Sequence, residues 1–166
     1  DPHASYLIVG TYDDALLLET LKRSLSKLGA TIDHVDPKSD EYAMVEKYLQ
    51  ATAASYNKPK IVGLFRLDRH GEGARFAEHD KLDNRRLLWH GTNVAVVAAI
   101  CKSGLRIMPH SGGRVGKGIY LASENGKSIG YVGWASGGKG VMFLAEAALG
   151  KEHTITQDDS SLKAAP

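Results

Sequence analysis

One cysteine, Cys101, occurs in 166 residues, and it lies within an apolar run. A single thiol excludes an intramolecular disulfide and fits a reducing compartment, so an intracellular setting, nuclear or cytoplasmic, is expected. Long apolar runs are missing too. None approaches the ~20 residues of a membrane span, and no basic-then-apolar leader opens the chain, so no membrane partner is expected. The sequence starts Asp1-Pro2 without methionine, as a processed or excised chain would, and an upstream targeting signal would then lie outside it. There is no internal repeat, no low-complexity tract and no zinc-ligand spacing. His70 and His79 sit among charged residues and read as solvated surface, so no metal is expected. Charge of one sign is also lacking: a net +2 argues neither for nor against nucleic acid.

What is present is an ordinary globular composition, 43% hydrophobic and 24% charged, in one domain's worth of chain. Residues 6–9 are a short apolar run. Leu17, Leu21, Leu25 and Leu28 recur at helical spacing and predict a helix over 13–28, stopped by Gly29. Residues 31–35 read as an edge strand. A turn ending in cap residues then leads into an amphipathic helix over 41–54, with Tyr42, Val45, Leu49 and Thr52 on one face. A strand follows over 60–67, then a polar turn over 68–73. Residues 93–103 are apolar nearly all round and predict a fully buried helix ended by Gly104. Short strands are expected over 105–107 and 119–122, with a glycine-rich loop over 109–118 between them. Ser123 is expected to cap a short helix carrying Lys127, Ser128 and Tyr131. After a turn over 133–140 comes a hydrophobic strand over 141–149 and a strand candidate over 151–157. These elements sum to an α+β fold, a split and mostly antiparallel sheet with flanking helices.

The chain is organised around Arg85-Arg86-Leu87-Leu88-Trp89-His90-Gly91-Thr92. Leu87, Leu88 and Trp89 read as a buried strand that delivers His90 to its end. Gly91 has no Cβ, so its backbone can approach a ligand closely. Asn93 or Thr92 takes the position of an N-cap. Alone, a His-Gly pair is better read as core. Two further stretches shift that reading, Gly116-Lys117-Gly118-Ile119-Tyr120 and Lys127-Ser128-Ile129-Gly130-Tyr131. Gly113, Gly116 and Gly118 lead into a strand, not a helix, which is the wrong setting for a dinucleotide fingerprint of the Rossmann type.

In this order the three stretches resemble the catalytic domain of the poly(ADP-ribose) polymerases, loosely from Leu21 and densely over 84–150. The loop from Leu105 to Gly116 reads like that of the third DNA-break-dependent branch. The resemblance implies an ADP-ribosyltransferase (diphtheria-toxin-like) fold and NAD+ as co-substrate. The bond broken would join nicotinamide to ribose, through an oxocarbenium-like transition state. The resemblance implies that Gly91 pairs its backbone with the nicotinamide carboxamide, that Ser128 donates to the carboxamide oxygen, and that Tyr131 stacks on the ring. Tyr120 forms the opposite wall, and His90 orients the dinucleotide through ribose hydroxyls. Thr92 and Arg106 reach the adenosine side, and Lys127 belongs to the same motif. His90 and Tyr120 are the catalytic candidates. Read singly, each has a plain alternative: Tyr120 as core, Lys127 as a solvated helix face, Ser128 as structural, Arg106 as a surface ion pair.

The family's His–Tyr–Glu set needs a glutamate on a late strand, past the segment matched here. Glu146 falls where the family keeps a non-catalytic glutamate, and Glu124 is a poor second candidate. The expectation is therefore a leading segment over 1–20, a remnant of a regulatory helical region. The N-terminal two-thirds of a catalytic domain would follow over 21–166. The strand over 141–149 would have an unpaired apolar edge, to be covered by a continuing C-terminal segment or a second chain. Acceptors would be proteins or nucleic acid, in a DNA-break or DNA-repair context set by modules outside this chain. The alternative is an inactive NAD- or nicotinamide-binding scaffold. A relationship to RNA 2′-phosphotransferases is weaker, because the near-neutral balance gives no phosphate-binding footprint.

Overall fold

Five strands build the centre of the molecule: β1 (Ser5–Val9), β2 (Ala30–His34), β3 (Gly63–Arg69), β4 (Arg85–Gly91) and β5 (Val141–Ala148). They form one sheet in the order β2-β3-β1-β5-β4, with every neighbouring pair antiparallel. The computed structural model describes residues 5–9, 23, 26, 27, 29–133 and 140–164. The helices are α1 (Asp40–Ala51), α2 (Glu72–Ala77), α3 (Val94–Ser103) and α4 (Asn125–Ser128), the last running into a 3-10 turn, Ile129–Tyr131. The fold is α+β with an antiparallel sheet, as the sequence predicts. The described strands make a single sheet, however, where a split one was expected.

Period-2 alternation gives the sheet a core on each face. Leu64, Trp89, Met142 and Leu144 join Val45 and Leu49 of α1, with Ile129 and Val132, on one side. Ile32, Leu67, Val141 and Phe143 join Cys101 of α3 on the other, with Val97 and Ile100 packed against them. Each long helix starts at a side-chain cap. Ser39 Oγ accepts from the Tyr42 amide at 3.2 Å, and Asn93 Oδ1 accepts from the Ala95 amide at 2.9 Å. Asn93, not Thr92, is therefore the N-cap.

Several expectations change. The strand of residues 141–149 has no open apolar edge: β1 pairs along Val141 to Leu144, and β4 pairs from Met142 to Ala148. The helix over 93–103 is not buried all round. It lays one face on the sheet, and Val94 and Val96 stay 42% and 43% exposed. Apolarity on every side does not reveal which side is covered. Residues 105–107 form no strand: Gly104, at φ 72, ends α3, and the stretch after it joins no ladder. Of 119–122 only Ala122 bridges, to Trp89. Residues 151–157 also stay irregular, since Gly150 at φ 58 leads the chain off the sheet. The polar turn over 68–73 holds the end of β3 and the start of α2, and the short helix sits on Glu124 as its N-cap instead of Ser123. The helix expected over 13–28 lies outside the described residues, apart from 23, 26 and 27, as does most of the turn over 133–140.

Candidate functional site

Trp89, 0% exposed, is the hinge of the site. Tyr48 of α1 stacks on its indole, with centroids 5.4 Å apart, and donates its hydroxyl to the Leu87 carbonyl at 2.8 Å. The Trp89 amide donates to Ala122 O at 2.8 Å, and the Ala122 amide returns a bond to Trp89 O at 2.9 Å. Ser128 Oγ donates to that same Trp89 carbonyl at 3.1 Å. The Trp89 backbone, two positions before Gly91, thus holds Ser128 of the third stretch and Ala122, two residues past Tyr120.

Gly91 ends β4 with no room for a side chain. A Cβ there would lie 1.9 Å from Ser128 O and 2.8 Å from Ser128 C. The glycine admits the backbone of the Ser128 turn against the strand end. On its other flank, His90 Nδ1 is 2.9 Å from Tyr120 O. A carbonyl oxygen only accepts, so Nδ1 carries a proton, and in the neutral imidazole Nε2 is then the acceptor. Tyr120 is 41% exposed. Its hydroxyl donates to Gly116 O at 2.6 Å and accepts from the Val115 amide at 3.3 Å. Tyr131 presents a ring 68% exposed, one turn beyond Ser128.

His90, Gly91, Tyr120 and Ser128 are therefore brought together, with Thr92 adjacent and Tyr131 at the rim. The carbonyl of Thr92 accepts from the Gly133 amide at 3.2 Å. Arg106 and Lys127 are exposed and stand outside this hydrogen-bonded group. Ser128 is only 4% exposed, and its single proton points at Trp89 O, so donating to a ligand requires turning the hydroxyl. Glu146 is ion-paired with Arg85 at 2.6 Å, and Glu124 is exposed without a capping bond. Glu146 also lines a hollow with Phe76 and Phe143.

Sequence reasoning missed what holds this group. Asn125 is fully buried and donates from Nδ2 to Leu49 O and, at 2.9 Å, to Thr52 Oγ1, which ties α4 to the end of α1. Gly126 lies so close to Ala54 that a Cβ would meet its amide nitrogen at 2.9 Å. Across the mouth, Arg114 Nε donates to Asp158 Oδ2 at 2.6 Å. The Arg114 pKa is raised, first by that hydrogen bond, next by the carboxylate's charge, and in smaller part by the oxygen of Tyr131. Two hollows, of about 420 and 540 Å3, lie elsewhere. One is walled by Phe76, Ile119, Leu121 and Phe143, the other by Met44, Tyr48, Leu87 and Leu144. Neither includes His90, Gly91 or Ser128. Tyr120 and Tyr131, 41% and 68% exposed, lie next to the chemistry-bearing residues in sequence and contact. Among the described residues no group of three or more His, Cys, Asp and Glu is arranged to hold a metal.

The family model of the poly(ADP-ribose) polymerase catalytic domain matches residues 39–166. The chain is 57% identical over 149 residues to Protein mono-ADP-ribosyltransferase PARP3 of Mus musculus, and 52% identical over 149 residues to that of Homo sapiens. Each alignment covers 88% of this chain and 28% of the relative. A Poly(ADP-ribose) polymerase of Sarcophaga peregrina is 34% identical over 154 residues, which is 88% of this chain and 16% of that protein. The chain thus spans under a third of the length of these relatives.

Proposed function

The chain belongs to the poly(ADP-ribose) polymerase catalytic domain family, and we propose that it carries the donor half of an NAD+-dependent ADP-ribosyltransferase site. ADP-ribose would pass to a protein or nucleic-acid acceptor, and nicotinamide would leave. Membership also implies the ADP-ribosyltransferase fold for the antiparallel sheet. Single-unit transfer is the favoured mode, because the relatives of Mus musculus and Homo sapiens, both above half identity, are named mono-ADP-ribosyltransferases. A nuclear, DNA-repair setting is part of the same proposal, as is supply of any DNA-sensing module from outside these residues.

The observation that carries the reading is the meeting of His90, Gly91, Tyr120 and Ser128 around the Trp89 backbone, between two exposed tyrosine rings. These residues fit a flat carboxamide-bearing ring. Tyr131 would stack on one face, and Tyr120 would bound the other. The backbone of Gly91 and the hydroxyl of Ser128 would meet the carboxamide. His90 Nε2 would accept from a ribose hydroxyl, its tautomer fixed by the Tyr120 carbonyl. Holding ring and ribose together supplies orientation for departure of nicotinamide. Arg106, Thr92 and Lys127 would serve the adenosine side or its approach.

Calorimetric titration with benzamide tests this. The protein should bind it, and Tyr131→Ala, a change at an exposed ring, should weaken binding roughly two- to tenfold, the loss of one stacking contact. Unchanged affinity, or no binding by the unaltered chain, overturns the carboxamide site. Nicotinamide release from NAD+ then separates the transferase from a scaffold, which would bind benzamide and release nothing.

A further inference from the structure

Within the glycine-rich loop over 109–118 the ties are local, the Ser111 amide donating to Met108 O at 2.8 Å and the Gly116 amide to Gly113 O at 3.1 Å. Around Gly112 and Gly118 there is open space within 4 Å, while Gly113 and Gly116 are crowded, each by a different neighbour. A Cβ on Gly113 would strike the Tyr120 hydroxyl at 2.6 Å. A Cβ on Gly116, whose φ is +77, would lie 2.0 Å from Leu162 O and 2.7 Å from Leu162 C. The next residue continues the contact, as the Lys117 amide donates to Leu162 O at 2.9 Å. Four residues earlier in that tail segment, Asp158 accepts from Arg114. Between them, Ser161 folds the segment into a turn, giving its amide at 2.9 Å and its hydroxyl at 2.5 Å to Asp159 Oδ1.

The geometry points to residues 158–162 as a strap that positions Tyr120 by holding the loop at Arg114, Gly116 and Lys117. The contacts run without a gap: Leu162 backbone to Gly116 and Lys117, Gly116 carbonyl to the Tyr120 hydroxyl, Tyr120 carbonyl to His90 Nδ1. Asp158, Leu162, Arg114 and Gly116 are positioning residues that touch no ligand themselves. That Tyr120 then serves a carboxamide site rests on the function proposed above.

The test combines charge exchange with benzamide binding. Arg114→Asp and Asp158→Arg, both at exposed positions, should each weaken benzamide roughly two- to fivefold, the range of an exposed ion pair. The double exchange should restore affinity, the mark of a direct pairing between the two residues. In a Tyr120→Phe background, which removes the hydroxyl that receives the strap's effect, the single exchanges should have no further effect. Gly116→Ala, which must dislodge Leu162, should lose tenfold or more. A ligand-free readout runs beside these. Amide exchange at Lys117 should speed up in each single exchange and slow again in the double. If the unaltered chain binds no benzamide, the site reading fails, and the strap stands or falls on the Lys117 amide alone. Failure of the double exchange to restore both readouts overturns the strap, as do single exchanges that remain additive with Tyr120→Phe.

Discussion

Gly91 lacks a side chain because the Ser128 carbonyl already occupies the place of one. Gly91→Ala should therefore cost about 1–3 kcal/mol by overpacking, and more if the Ser128 turn cannot shift. Urea denaturation measures it, and an unchanged midpoint would mean the turn yields freely. The His-Gly pair itself was legible as a strand end with backbone exposed for an approach. That the approach includes the protein's own helix was not legible, since nothing in Lys127-Ser128 says which strand it packs on. Cys101 is the opposite case, a lone residue whose burial its apolar surroundings foretold. Burial pushes its thiol up to about 11 from 9.0, with Arg69 pulling weakly the other way. A raised value means the folded state keeps the proton that the unfolded state releases. Its stabilising share is thus whole below pH 9.0 and lost as pH climbs toward 11. Native protein at pH 8 should resist iodoacetamide at Cys101 and label readily in urea. Fast native labelling would contradict the burial.

At the scale of the element, α4 is too short to hold itself, and Asn125 anchors it to α1. Asn125→Ala should cost about 1–3 kcal/mol, because a buried donor to Leu49 O and Thr52 Oγ1 is removed. Asn125→Asp should cost more at neutral pH, since a carboxylate cannot donate to a carbonyl and its charge would be buried. Thermal melts of the two variants give the order, and Asp melting above Ala would refute the donor role. Both should also weaken benzamide, because Ser128 rides on this helix. A single polar residue in a polar stretch leaves no periodic trace, so this anchor escaped the sequence. Spacing did reveal α1, whose Val45 and Leu49 are buried as expected. It overread residues 105–107 and 151–157, where β-prone side chains join no ladder of the described sheet.

For the whole molecule, an α+β class and an antiparallel sheet were visible in the alternation of apolar and polar residues, but strand order was not. β1 and β5 lie side by side in the middle, yet more than a hundred residues separate them in sequence, and no local pattern records such a pairing. Trp89 couples the sheet to α1, to Ala122 and to Ser128. Trp89→Ala should cost about 3–5 kcal/mol, a large part of the roughly 5–15 that holds a domain. Circular dichroism should show it unfolded, or nearly so, at 37 °C, and a native-like melt would mean the two cores stand independently. The sheet order carries a consequence for synthesis. Among the described strands, β5 is the one ladder partner of β4, the strand of His90 and Gly91. On the ribosome, a nascent chain that has reached the glycine-rich loop has made its histidine strand but not the strand that receives it. About fifty residues of translation separate the two, and through that interval the histidine strand waits for the ladder that β5 will give it.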